Sequence, residues 1–263
     1  MENAIEELLT YKGLIVALWL GAFFVAERLY PAVPLPPELG TATARTSWLR
    51  LARNASLWLV NVGLSPLIVL PLSLWASGQV FNWRPDWWSG ALGLAFDLVL
   101  LDFLIYWWHR ANHVVGFLWR FHEVHHLDRF LDTTSAVRFH FGEVVLSALA
   151  RAGVIILLGM PFTSVVVFEV VVLCAAIFHH SNLRLPAAVE KPLSKVIVTP
   201  SIHWVHHHAV REDTDSNYGT LFSFWDRLFA SFSRNHRQAD MVIGVEARPE
   251  RSLLGLLVRP FTG

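Results

Sequence analysis

The 263-residue chain has one cysteine, Cys174, set in an apolar run. A single thiol cannot build a disulfide framework within the chain, and it rules out iron–sulfur clusters and other cysteine-rich metal sites. Charge is also scarce: Asp, Glu, Lys and Arg together make up 16% of the residues, against about a quarter in an ordinary soluble domain. Lys plus Arg number 21, and so do Asp plus Glu. With no net charge to attract phosphates, a nucleic-acid partner is not expected. The first residues, Met-Glu-Asn-Ala-Ile-Glu-Glu-Leu-Leu, are acidic where a cleavable signal peptide would be basic, so none is expected.

Apolar residues are abundant. They form 54% of the chain, with 12 Trp and 18 Phe, and mean hydropathy is +0.44. This is the composition of a membrane protein with many side chains at lipid interfaces. The apolar stretches run over residues 13–26, 55–76, 88–108, 144–158 and 162–178. The second and third have about 20 residues each, enough to cross a hydrocarbon core of about 30 Å. The last two are separated by Gly159-Met160-Pro161, which predicts a tight helical hairpin in the bilayer. A Pro-rich connector, residues 31–40, follows the first stretch.

Within the hairpin, Arg151 lies nine residues before Met160 and Glu169 nine after it. The two would be level, either paired across the hairpin or each snorkelling to the interface. If all five stretches cross, one face carries Lys12 and Arg84 and the other nearly all remaining basic residues. The positive-inside rule then predicts a multi-pass protein with residues 28–54, 109–141 and 179–263 in the cytoplasm. Those segments hold all 13 histidines.

The histidines cluster as His109-x-x-x-His113, His122-x-x-His125-His126 and His203-x-x-His206-His207, followed by His208. Spacings of three and four residues put imidazoles on one helix face, where a triplet can serve two metals. His140 and the pair His179-His180 are further candidates. Such crowding would be repulsive if the rings were protonated, whereas neutral imidazole bound to metal removes that cost. Eight to ten nitrogens are too many for one structural zinc and suit two metals. Iron with an open position can activate oxygen; zinc cannot. Asp102, seven residues before His109 on the same helix face, needs a partner inside an apolar helix. That partner is either a ligand imidazole, which the carboxylate would orient, or a group on a neighbouring helix.

With these motifs in place the sequence resembles the fatty acid hydroxylase and sterol desaturase superfamily of membrane di-iron proteins. The resemblance is carried by Asp102, Tyr106-Trp-Trp-His109-Arg-Ala-Asn-His113, Leu118-Trp-Arg-Phe-His122-Glu-Val-His125-His126 and Thr133-Thr-Ser-Ala-Val-Arg-Phe-His140. It continues through His180-Ser-Asn, Thr199-Pro-Ser-Ile-His203-Trp-Val-His206-His207, Asn217-Tyr-Gly219 and Phe224-Trp-Asp226-Arg-Leu-Phe229. It implies an all-α membrane fold: one unit over residues 1–263, about four transmembrane helices, and a cytosolic histidine-rich helical cap. The motif region covers about residues 95–230.

The implied activity is hydroxylation or desaturation of a lipid-like substrate, such as a sterol, acyl chain, ether lipid or carotenoid. It would use O2, two Fe ions (zinc being able to replace them on purification) and a separate electron-transfer protein of ferredoxin, cytochrome b5 or reductase type. The implied ligands are His109, His113, His122, His125, His126, His203, His206 and His207, with His180 and His140 added. Phe141 stands where the family often has proline after histidine, and His208 where it commonly has serine; His179 is the alternative to His180, and His236 reads as a surface residue. The competing expectation is a di-metal membrane protein that binds lipid or metal without catalysis.

Overall fold

The computed structural model describes residues 2–36, 44–81 and 83–262; residues 37–40 of the Pro-rich connector lie outside them. Helix α1 (Glu2–Leu29) is followed by α2 (Ala44–Leu64), a π-helical turn (Ser65–Val69) and α3 (Leu70–Ser77). Then come α4 (Gly90–Val114), α5 (Gly116–His126), α6 (Phe141–Leu158) and α7 (Phe162–His180). Short helices complete the chain: α8 (Ala187–Leu193), α9 (Pro200–His206), α10 (Arg211–Thr214), α11 (Phe224–Leu228) and α12 (Leu253–Val258). Among the described residues there are no strands, only isolated antiparallel bridges such as Ile197 with Phe222.

Among the described residues, four segments are long and apolar enough to cross a bilayer: Ser47–Ser77, Gly90–Val114, Phe141–Leu158 and Phe162–His180. No more than 33% of the apolar window of any of them is buried inside the protein, so the outer faces require hydrocarbon rather than water. The first expected stretch is not one of the four. It belongs to α1, which lies along α7, with Trp19 Nε1 donating to the Cys174 carbonyl at 2.9 Å and Phe23 edge-on to Phe178.

The Ser47–Ser77 span is one continuous rod widened at Ser65–Val69. Pro66 has no N–H and its ring crowds the preceding turn, so the ladder takes up an extra residue there. The hairpin expected at Gly159-Met160-Pro161 is present. Gly159 ends α6 at φ 60°, and Pro161 caps the start of α7. A Cβ at Gly159 would meet the Phe81 carbonyl at 3.2 Å, so glycine serves both the left-handed turn and the close approach.

The spans pack through Leu101 of α4, Ala152 and Ile155 of α6 and Val165 and Phe168 of α7, with Ala76 of α3. At the end away from the histidines, the buried Asp97 carboxylate accepts from Arg84, Trp88 Nε1 and Ser164, at 2.6–2.7 Å.

Inside the hairpin, Arg151 and Glu169 do pair, at 3.2 Å. Glu169→Gln alone is expected to destabilise the hairpin by leaving Arg151 without its carboxylate. Adding Arg151→Met should recover most of the loss, with a coupling of about 0.5–2 kcal/mol in a double-mutant cycle. Additive effects in that cycle would mean the pair contributes nothing.

At the histidine end, buried polar groups tie the first two helices to the loop between α5 and α6. Arg50 of α2 meets Asp128 at 3.1 Å and also pairs with Asp132. Asn54 donates to Asp128 and Thr134 and accepts from Arg138 at 2.8 Å. Glu27 of α1 accepts from the backbone and hydroxyl of Thr133 and from the Asn182 backbone. A buried charge is tolerable only when its bonds are made. The result is a rigid loop whose Arg138 carbonyl is one of the fixed points of the site.

Candidate metal centre

The C-terminal ends of α4 and α7, helix α5 and helix α9 converge at one end of the bundle and bring nine imidazoles together. They fall into two groups. His109, His113, His122, His126 and His206 form one; His125, His180, His203 and His207 form the other. In each group the ligand-capable atoms all lie within 4.8 Å of one another.

The division explains the triplet spacing. In His122-x-x-His125-His126, positions i and i+4 go to the first group and i+3 to the second. In His203-x-x-His206-His207 the assignment is reversed: His203 and His207 go to the second group and His206 to the first. Each helix therefore gives two rings to one centre and one to the other.

Six of the rings are held by their outer nitrogens. Nδ1 of His109 donates to the Tyr218 carbonyl at 2.8 Å, that of His206 to Ser216 at 2.6 Å, that of His180 to Ala176 at 2.8 Å and that of His125 to Arg138 at 3.1 Å. Nδ1 of His122 bonds Glu143 Oε1 at 2.8 Å, and Nδ1 of His113 faces Asp215 Oδ1 at 3.4 Å. A ring whose Nδ1–H points at oxygen is fixed as the tautomer with a bare Nε2.

Those Nε2 atoms turn inward. In the second group they approach to 3.0 Å between His203 and His180, and to 3.1 Å between His180 and His125 and between His207 and His203. In the first, Nε2 of His113, His122, His126 and His206 are buried with no protein partner. Burial, with neighbouring imidazoles adding to it, pushes His125, His126, His203, His206 and His207 well below the ordinary imidazole range. Neutral, buried, converging nitrogens without carboxylate or thiolate among them suit first-row transition metals, including iron.

Two residues expected at the site are elsewhere. His140 caps the start of α6: its Nδ1 accepts from Gly142 N at 2.9 Å and its Nε2 donates to the Leu257 carbonyl at 3.0 Å. With Phe141 opening the helix, both ring nitrogens are spent on backbone. Asp102 touches no imidazole. It accepts from Leu221 N at 3.0 Å, Phe222 N at 3.1 Å and Trp225 Nε1 at 2.8 Å. It anchors the segment at Leu221–Trp225 rather than a ligand.

His179 is buried against His203, with ring centroids 4.2 Å apart, but is not a member of either group. His208 pairs with Asp213 at 2.8 Å, and His236 is exposed.

The carboxylates that do face ligand rings, Glu143 and Asp215, escape a sequence reading. Glu143 has a faint signal, an acid at the start of an apolar run. Asp215 is one acid among several in Arg-Glu-Asp-Thr-Asp and has none. Glu143→Ala is expected to lower metal affinity about 10–100-fold, the usual cost of losing a group that orients a ligand. Glu143→Gln should restore part of it, because its carbonyl can still accept from His122. Chelator competition reads the affinity, and an alanine variant that holds metal like the parent would remove this role.

Comparison with known proteins adds a second line of observation. The fatty acid hydroxylase family profile matches residues 94–231, more than half of the chain. The chain belongs to this family. An ornithine lipid hydroxylase of Rhizobium tropici is 28% identical over 197 residues, 75% of this chain and 59% of the relative. An alkylglycerol monooxygenase of Caenorhabditis elegans is 30% identical over 170 residues, 62% of this chain and 32% of the relative. A cholesterol 25-hydroxylase-like protein of Danio rerio is 27% identical over 201 residues, 72% of this chain and 74% of the relative. The chain thus spans 59% of the first of these relatives and 32% of the second. No solved structure gives a significant match. The family-matched region takes in all nine grouped histidines.

Proposed function

We propose that this chain is a membrane-embedded oxygenase that hydroxylates, or desaturates, a lipid-like substrate with two iron ions held by the nine imidazoles. The observation that carries the reading is the division of these rings into a group of five and a group of four, with six of their outer nitrogens bonded to carbonyl or carboxylate oxygen. Relatives named for ornithine lipid, alkylglycerol and cholesterol support a membrane-resident substrate.

Iron bound there supplies the redox chemistry: a C–H bond, O2, two electrons and two protons give C–OH and water. The chain's own contribution is placement and dryness. Eight of the nine residues are buried and His109, near the end of α4, alone keeps partial exposure. The Nδ1 bonds hold six of the nine rings in the tautomer that presents Nε2, and burial excludes bulk water from the centre. The histidine end of the bundle faces the cytoplasm, and electrons arrive from a separate protein of ferredoxin, cytochrome b5 or reductase type.

The test is elemental analysis of gently purified protein, followed by oxygen consumption with reductant and bacterial lipid extract. About two metal ions per chain are expected, as iron in the active form and zinc in poorly loaded preparations. Less than half an ion per chain would overturn the site. Full iron loading with no lipid-dependent oxygen uptake would leave a metal protein without the proposed activity.

A further inference from the structure

The segment that Asp102 anchors points to a surface with its own partner. Asp102 lies twelve residues from each end of α4, a helix long and apolar enough to cross the membrane. A helix rises about 1.5 Å per residue, so Asp102 stands about 10 Å below His109, inside the apolar part of the span. Leu221, Phe222 and Trp225 donate to it at that level. Phe103 packs on Trp225 and Phe229, with ring centroids 5.1 and 5.9 Å apart, and Trp107 packs on Phe229 at 5.0 Å. Helix α11 therefore lies against the side of a span, below the histidine layer. Irregular backbone at such depth requires its donors to be satisfied internally. The carboxylates of Asp102 and Asp226 do this, Asp226 accepting from Tyr218 N at 2.7 Å and Gly219 N at 2.8 Å.

The same segment is joined to the region after α8. Val198 N donates to the Leu221 carbonyl at 2.9 Å and Ser223 N to the Val196 carbonyl at 3.0 Å, while Arg227 donates to the Ser194 carbonyl at 3.0 Å. Residues 184–198 and 221–229 thus form one unit beside α4. Its outer face exposes Val189, Val196 and Leu228. It also exposes Arg184, Lys191, Lys195 and Arg227, and none of these is in an ion pair among the described residues. The acids of the unit are turned away: Asp226 is buried, and Glu190 is bonded by Thr199 and Ser201. The exposed charged residues of the unit are all positive, and they are interleaved with apolar side chains.

We infer that this unit is a foot that rests in the lipid interface beside α4, with Val189, Val196 and Leu228 in the acyl region and Arg184, Lys191 and Lys195 on anionic headgroups. Cations flanking exposed apolar groups are the pattern of an interfacial segment, and each Lys or Arg near an anionic leaflet favours that seating. The continuity of the unit with a span selects a bilayer over a soluble acidic protein. The inference rests on the spans and is independent of the chemistry at the histidines.

The test uses the full chain in nanodiscs, with Cys174→Ala as background and a spin label at Val196→Cys, Leu228→Cys or, as a control on the cap, Asp240→Cys. At 196 and 228 the label is expected to be more accessible to oxygen than to a water-soluble nickel chelate, with the reverse at 240. In a second arm, phosphatidylglycerol and phosphatidylcholine bearing headgroup labels are compared. The anionic lipid is expected to be enriched near position 196 several-fold, and Arg184→Gln/Lys191→Gln/Lys195→Gln to lose that enrichment while labels 196 and 228 stay immersed. Labels at 196 and 228 as aqueous as that at 240 would overturn the inference. So would enrichment unchanged in the triple variant, or protection of this face only on addition of an acidic redox protein.

Discussion

Adjacent histidines are expected to empty different metal sites. His206→Ala should reduce bound metal from about two ions per chain to about one, and His207→Ala should do the same at the other centre. The double variant should hold none. His206 shares its group with His109, His113, His122 and His126, and His207 with His125, His180 and His203. Each single change leaves four or three rings in the depleted group and the other group complete. Three neutral imidazoles can still bind a divalent ion, but less tightly, so depletion of the four-membered group by His207→Ala should be the more complete of the two. Activity should fall in both by more than about 100-fold, beyond the 10–100-fold typical of losing a group that only orients a ligand. His236→Ala, at an exposed position, should match the parent in metal and activity. Membrane insertion and helical content of each variant separate ligation from folding. If His206→Ala and His207→Ala both lose all metal, the rings serve one shared centre and the two-group division is wrong.

That division shows what the sequence made legible and where it stopped. The clustering of the histidines was readable because i, i+3 and i+4 spacings place side chains on one helix face whatever the tertiary structure. The four long apolar segments were readable for the same local reason, since hydrophobic length needs no partner to be recognised. Which ring of a triplet joins which centre is not local: it depends on how α5 and α9 face each other.

His140 shows the limit differently. The sequence offered it only as a ligand, whereas its ring nitrogens go to Gly142 N and to the Leu257 carbonyl, 117 residues away. Glu143 and Asp215 acquire their roles by lying opposite His122 and His113 in space. The pairing of Arg151 with Glu169 was within reach because equal counts of nine residues on either side of Met160, in the Gly/Pro turn, put both side chains at one level.

Asp102 is where local reasoning misled, and it carries the second large effect. Its place on the His109 face suggested a bond to an imidazole; instead it collects three donors from a segment about 120 residues later in the chain. The consequence is a loss of stability rather than of metal affinity. Asp102→Ala would leave the N–H groups of Leu221 and Phe222 and the indole N–H of Trp225 unbonded in an apolar setting. Each buried donor left unmatched costs about 1–3 kcal/mol, so a total of about 3–6 kcal/mol is expected after partial relaxation. That is a large share of the 5–15 kcal/mol typical of a folded domain. Asp102→Asn keeps the shape and one acceptor oxygen, and should lose less, about 1–3 kcal/mol.

Both variants should lower the melting temperature of metal-free and metal-loaded protein alike, because the lost bonds lie outside both ligand groups. Metal content per folded chain should stay near that of the parent, although Tyr218, whose carbonyl holds His109, lies only three residues before Leu221. Thermal melts of both forms, with metal analysis of the folded fraction, decide the matter. Unchanged melting of the metal-free protein combined with loss of metal would return Asp102 to the ligand layer and overturn its assignment as the anchor of the segment at Leu221–Trp225.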